Sequence, residues 1–232
     1  MKKLDGPFIA PRSGNAKQLV IFLHGYGSNG DDLISIGDEW KQALPDAAFV
    51  SPNAPEVCEV HPAGFQWFPI SSAIEHEALT RDKMAAKVTP MLNAYIDEQL
   101  TKWGVDDAHL AVAGFSQGAM MAMYAMPRRA KPCAAVIGFS GMLLDADGLK
   151  GPNIVKVPIL AVHGSADDVV PAWNLEHIEE AAGAAGFEVE TLLRPDLPHS
   201  IDHFSIMRAL QFVQENFEKA ELTSKIMSKV KP

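Results

Sequence analysis

Apolar and polar positions along this chain follow two rhythms, and the switches between them mark out its elements. Gln18–His24 is a continuous apolar run of strand length closed by the glycine-rich turn Gly25-Tyr-Gly-Ser-Asn-Gly30. A run without polar interruption predicts a strand buried on both faces, as in a parallel sheet. Asp31 and Asp32 suit the first turn of a helix, and Leu33, Ile36, Trp40 and Leu44 then recur at spacings of three and four. Ala47–Ser51 predicts a second short strand. Residues Asn53 to Ser72 have no period, only prolines, a glycine and the aromatics Phe65, Trp67 and Phe68, which predicts a long loop of the kind often kept for function. Glu75–Trp103 is helical in spacing but contains Pro90, so a shorter piece followed by a longer helix is expected, with the proline near its start or at a kink. Further strands are predicted at His109–Phe115, Ala134–Phe139, Val157–Val162 and Glu188–Arg194, and further helices at Ala119–Met126, Trp173–Ala185 and Ser205–Phe217. The segment after Ala220 has little to pack and predicts a frayed tail.

Strands alternating with helices in this way predict an α/β protein with a mostly parallel, doubly wound sheet, helices on both faces, and chemistry at the carboxyl ends of the strands. No linker, repeat or low-complexity block divides the 232 residues, so a single domain is expected, with a core over about residues 17–217. No inserted segment is large enough for a separate lid domain. The formal charge of −9 disfavours phosphate backbones and anionic membrane surfaces, which argues against a nucleic-acid partner. Met1-Lys2-Lys3 has the charge of a secretory leader, but Asp5 and Pro7 interrupt any apolar stretch behind it, and no run elsewhere approaches a membrane span. Cys58 and Cys133 are the only cysteines and read as isolated packing thiols. A cytoplasmic protein is the expectation.

Candidate chemistry centres on Gly114-Phe115-Ser116-Gln117-Gly118, between a predicted strand and a predicted helix. Strand, sharp turn and helix form the context that makes G-x-S-x-G a nucleophile elbow, with glycines flanking the serine so that strand and helix can approach. By itself a serine there is also a favoured helix N-cap. A serine hydroxyl needs a base within hydrogen-bond reach, and that base needs a buried carboxylate to hold one tautomer. Asp167 or Asp168, after the strand Val157–Val162, and His199, after the strand Glu188–Arg194, complete a Ser–Asp–His order with each member at a strand end. Backbone N–H groups of Gln117, at the helix start, and Tyr26, in the turn after the first apolar strand, are placed to hold an oxyanion.

Together, His24-Gly25-Tyr26-Gly27, Gly114-Phe-Ser-Gln-Gly118, His163-Gly-Ser-Ala-Asp167-Asp-Val-Val-Pro171 and Pro198-His199-Ser200 resemble the phospholipase/carboxylesterase family, bacterial relatives of acyl-protein thioesterases with an α/β-hydrolase fold. The resemblance spans about Gln18 to Phe217. It implies that Asp167 rather than Asp168 is the triad carboxylate, that Trp67 and Phe68 border the entrance, and that Met142 and Val169 line the acyl pocket. The chain departs from the family pattern at Ala119, Tyr26 and Met142, positions where substrate would pack. The activity implied is hydrolysis of short-to-medium acyl esters through an acyl-enzyme on Ser116, with thioesters and lysophospholipids as alternative substrates. No metal or organic cofactor is required.

Other readings compete. Trp67 and Phe68 can equally plug the core beneath a long loop. His24 and His163, each before a glycine at a strand end, read as residues that orient loops. His199 and His203 share a metal-ligand spacing, but no glutamate follows as in H-E-x-x-H and no third ligand cluster is available. A non-catalytic small-molecule receptor on the same fold would be expected to have lost a triad member, and none is lost here. A homodimer is compatible with the composition, and so is a lipid-like ester substrate.

Overall fold

The strands assemble because both of their faces are apolar. A computed structural model describes residues 3–70 and 77–230, with side chains placed outside 77–80 and 227–230. In β2 (Gln18–Leu23), Leu19, Ile21 and Leu23 enter one core while Val20 and Phe22 enter the other. β6 (Leu110–Phe115) does the same with Leu110 and Val112 against Ala111 and Ala113. With β1 (Phe8–Ile9), β3 (Ala47–Val50), β7 (Ala135–Phe139), β8 (Ile159–Gly164) and β9 (Val189–Arg194) they form a seven-stranded sheet in the order β1-β3-β2-β6-β7-β8-β9. All neighbours are parallel except β1, which runs antiparallel to β3. Helices α2 (Glu77–Trp103), α3 (Gln117–Ala125) and α4 (Trp173–Ala184) supply one core, and α1 (Gly30–Trp40) and α5 (His203–Val230) the other. This is the doubly wound α/β arrangement expected. The chain leaves β2 outward to β3 and returns on the other side to β6, so the switch in strand order falls between β2 and β6, where crevices form at the carboxyl edge.

Local chemistry sets the ends of the elements. Asn29 caps α1 by accepting the Asp31 N–H at 2.9 Å, with Asp31 and Asp32 in the first turn. Leu44, expected on that helix, lies beyond its end but is still buried. The expected break in α2 is absent: the helix runs through Pro90, which lacks the N–H that would pair with the Ala86 carbonyl. Burial of Ala85, Val88, Leu92, Tyr95 and Ile96 along one stripe outweighs that lost bond. The start expected at Glu75 lies outside the described residues. The tail expected to fray continues α5 to Val230, with Thr223 Oγ1 donating to the Lys219 carbonyl at 2.9 Å and Lys225 paired with Glu221 one turn away. The segment expected to be structureless after Asn53 contains a small hairpin, β4 (Glu56–Val57) with β5 (Phe65–Gln66). Among the described residues, no helix is long and apolar enough to cross a membrane.

The β6–α3 turn brings backbones into very close approach. A Cβ on Gly114 would stand 2.3 Å from the Gly118 backbone, and one on Gly118 would stand 1.9 Å from the Leu23 carbonyl oxygen. Both obstacles are backbone, so neither can rotate away. Gly118→Ala is therefore expected to cost more than the roughly 1–3 kcal/mol of ordinary overpacking. Gly183→Ala, in the last turn of α4 with nothing within 4 Å of the new methyl, is expected to gain up to about 1 kcal/mol. Urea denaturation midpoints of the two variants should move in opposite directions.

Candidate active site

Ser116 occupies the turn between β6 and α3 with φ 53° and ψ −115°, a conformation that costs a non-glycine residue on the order of 1–3 kcal/mol. Its hydroxyl makes no N-capping bond, so the reading as an ordinary helix-cap serine does not describe it. The strain is held from both sides: the Ser116 N–H donates to the Phe139 carbonyl at 2.9 Å, and its own carbonyl accepts from Met120 at 3.1 Å.

Asp167 and His199, separated by 32 positions, meet directly. His199 Nδ1 lies 2.7 Å from Asp167 Oδ2. The other carboxylate oxygen, Oδ1, accepts the N–H groups of Val169 at 3.0 Å and Val170 at 2.8 Å. The Asp167 side chain is fully buried and that of His199 is 16% exposed. Burial pushes the Asp167 carboxyl up, but hydrogen bonds from His199, Val170 and Val169 outweigh it and hold the group below the ordinary carboxylate value. Its neighbour Asp168 is exposed. His163 backs the same carboxylate: its Nε2 lies 2.8 Å from the Val170 carbonyl and 3.3 Å from Asp167 Oδ2. The His199 ring packs on Phe115, the residue before Ser116, at 4.8 Å between centroids. Among the described residues, no hydrogen bond joins Ser116 Oγ to His199. His203, the possible metal partner of His199, instead faces Glu39 at 3.3 Å.

The turn after β2 lies against the elbow. A Cβ on Gly25 would stand 3.1 Å from the Phe115 ring and 3.5 Å from Ser116 Cβ. His24 is buried, with its Nδ1 2.7 Å from the Gly25 carbonyl and its Nε2 accepting the Ala54 N–H at 3.0 Å. Accepting at Nε2 puts its proton on Nδ1, and burial, opposed in part by the Gly25 bond, lowers the pKa of this neutral ring. The backbone N–H groups of Tyr26 and Gln117 find no acceptor among the described residues. The Tyr26 hydroxyl reaches Glu59 at 3.4 Å.

The residues expected to meet substrate divide. Val169 is 64% exposed beside Asp167. Met142 is half-buried, its sulfur 3.5 Å from Arg81 Nη1, which brings a cation that the sequence did not single out to this region. Trp67 and Phe68 do not border an entrance: both rings are buried, at 0% and 2% exposure. Apolar bulk draws them under the hairpin, and Trp67 Nε1 finds a partner there in the His24 carbonyl at 2.9 Å. The Gln117 side chain was also missed. Its Oε1 accepts the Trp67 N–H at 2.9 Å and its Nε2 donates to the Phe68 carbonyl at 2.7 Å.

A parallel sheet with this strand order, a strained serine at the β6–α3 turn and an Asp–His pair on the same edge define the α/β-hydrolase class. The family model for phospholipase/carboxylesterase matches residues 4–217. Esterase YpfH from Escherichia coli is 30% identical over 88% of this chain and 85% of its own length. Acyl-protein thioesterase 1 from Emericella nidulans is 27% identical over 86% of this chain and 90% of its own. The crystal structure of esterase PE8 superposes with a TM-score of 0.87 at 38% identity, covering 92% of this chain and 99% of that one. The chain belongs to the phospholipase/carboxylesterase family and is a carboxylic ester hydrolase.

Proposed function

We propose that the protein, acting as a single domain, is a serine esterase that cleaves short-to-medium acyl esters through a Ser116 acyl-enzyme. The observation that carries this reading is the Asp167–His199 hydrogen bond of 2.7 Å, on the same sheet edge as a serine in a strained turn. Asp167 keeps the His199 proton on Nδ1, which leaves Nε2 as a base. In the Michaelis complex His199 Nε2 closes on Ser116 Oγ, since such bonds are often long or misaligned in a free enzyme and tighten with substrate. Ser116 Oγ attacks the carbonyl carbon as its proton passes to His199. The oxyanion is held by the Tyr26 and Gln117 N–H groups, two donors that no acceptor among the described residues occupies. His199 then protonates the departing alcohol, and water repeats the sequence to release the acid.

In this reading Val169, two residues from Asp167, and Met142 contact the acyl chain. A dissolved ester, handled without a lid domain, fits the chain better than a lipid droplet, and a charge of −9 argues against nucleic acid as a partner. Two buried free thiols, Cys58 and Cys133, suit the cytoplasm. Burial pushes Cys133 up to about 12, which leaves it unreactive. A fluorophosphonate probe followed by peptide mass analysis tests the mechanism: one adduct on Ser116 is expected, and folded protein without that adduct would overturn it. Thioester hydrolysis is the second reading, favoured by the relatives named acyl-protein thioesterase. Rates on matched oxygen and thiol esters of increasing chain length decide between the two.

A further inference from the structure

The two candidate oxyanion donors sit on different elements, yet a single four-residue segment bonds to the turn that carries Tyr26 and to the Gln117 side chain. Residues 65–68 run from β5 past the β2 turn to the start of α3. At one end, Phe65 accepts the Gly27 N–H at 2.9 Å and donates its own to the Ser28 carbonyl at 2.7 Å. At the other end, the Gln117 side chain grips the Trp67 N–H and the Phe68 carbonyl with opposite ends of one amide. Between them the Trp67 indole donates to the His24 carbonyl, two residues before Tyr26. A Cβ on Gly64 would come within 1.9 Å of the Gly27 carbonyl oxygen, so the hairpin is seated on the turn with no slack.

We infer that Trp67 and the Gln117 side chain are positioning residues for the reaction: together they brace the Tyr26 N–H against the Gln117 N–H and set the distance between the two oxyanion donors. This rests on the Ser116 acyl-enzyme reading. Preorganisation gives the inference its physical force. A donor pair acts on the transition state only when its geometry is held before charge develops, and backbone turns rich in glycine do not hold themselves. Residues 24–28 contain Gly25 and Gly27, and the Phe65–Phe68 segment supplies the missing rigidity. The brace touches neither the acyl chain nor the leaving group, so its loss should fall on kcat.

Trp67→Phe keeps the ring and deletes only the Nε1–H donor, and Gln117→Met deletes both ends of the amide while keeping its length. Rates are taken per active site titrated with fluorophosphonate, which removes any contribution from unfolded protein. Each variant is expected to lower kcat on p-nitrophenyl butyrate by about 10- to 100-fold, less than the loss of a whole oxyanion donor, with KM changed less than about 3-fold. A trifluoromethyl ketone adds to Ser116 Oγ, passes the serine proton to His199 and leaves a tetrahedral oxyanion in the same place. Its affinity should weaken in parallel with kcat/KM, a correlation that merely local packing would not produce. The double variant should lose little more than the worse single one, because both act through one brace. If Ser116 is labelled but both variants keep kcat within about 2-fold of the parent, any loss of kcat/KM then coming from KM alone, the brace is overturned and the serine mechanism stands. If Ser116 is not labelled, both fall.

Discussion

Ser116→Ala is expected to lower kcat on p-nitrophenyl butyrate on the order of 10⁶-fold, the size of the loss when a serine protease is stripped of its nucleophile, with the thermal midpoint almost unchanged. Both halves follow from the turn. In the proposed route the hydroxyl is the group that forms the acyl bond; Gln117 has no nucleophilic group to replace it, and the Tyr26 hydroxyl is turned to Glu59 at 3.4 Å. The hydroxyl also makes no N-capping bond, so removing it strips α3 of nothing. Alanine inherits the positive φ of 53° at about the same steric cost. A residual rate above the uncatalysed reaction is expected from the remaining oxyanion donors. Activity surviving above about a hundredth of the parent would mean that some other residue attacks the ester.

Asp167→Asn carries the next largest effect, a fall in kcat of about 10⁴-fold, and the structure gives a specific reason. The N–H groups of Val169 and Val170 both point at Oδ1 and will hold the asparagine carbonyl oxygen there. The amide NH₂ is thereby forced to the Oδ2 position, facing His199 Nδ1 and His163 Nε2. An NH₂ donor facing Nδ1 stabilises the tautomer with its proton on Nε2, which cannot accept from Ser116. It also carries no charge to support the imidazolium. The same variant reports on stability against pH. The folded Asp167 carboxyl lies below its ordinary value of 3.8, so the unfolded chain binds the proton more tightly. Its contribution to stability is complete above that value and is lost as pH falls through the lower folded value. Denaturation midpoints measured from neutral pH into acid should fall less steeply for Asp167→Asn than for the parent. An equal slope would show that Asp167 does not carry that part of the acid lability.

Some of this was legible residue by residue. The apolar runs at Gln18–Leu23 and Leu110–Phe115 announce buried strands because each is short and unbroken, and a mostly parallel sheet follows from the helical stretches between strands. The elbow is legible because two glycines around a serine, between a strand and a helix, satisfy one local steric demand. Pro90 misleads because a local rule about a missing N–H competes with burial of one apolar stripe along α2, and burial prevails. The β4–β5 hairpin leaves no trace because two-residue strands are too short to show a period.

Trp67 is the clearest case of what the chain alone does not settle. A tryptophan in a long aperiodic loop reads equally as an entrance residue or a core plug, and only the fold shows it buried against His24, 43 positions earlier, and tied to Gln117, 50 positions later. Near neighbours along the chain determined the elements, their order, and the kinds of chemical group at the strand ends, because turn sterics and side-chain periodicity act over a few residues. Which aspartate is buried, which histidine it holds, and what ties the Trp67 segment to Gln117 were decided by tertiary structure, because hydrogen bonds across 30 to 50 residues exist only once the sheet has brought their partners to one edge.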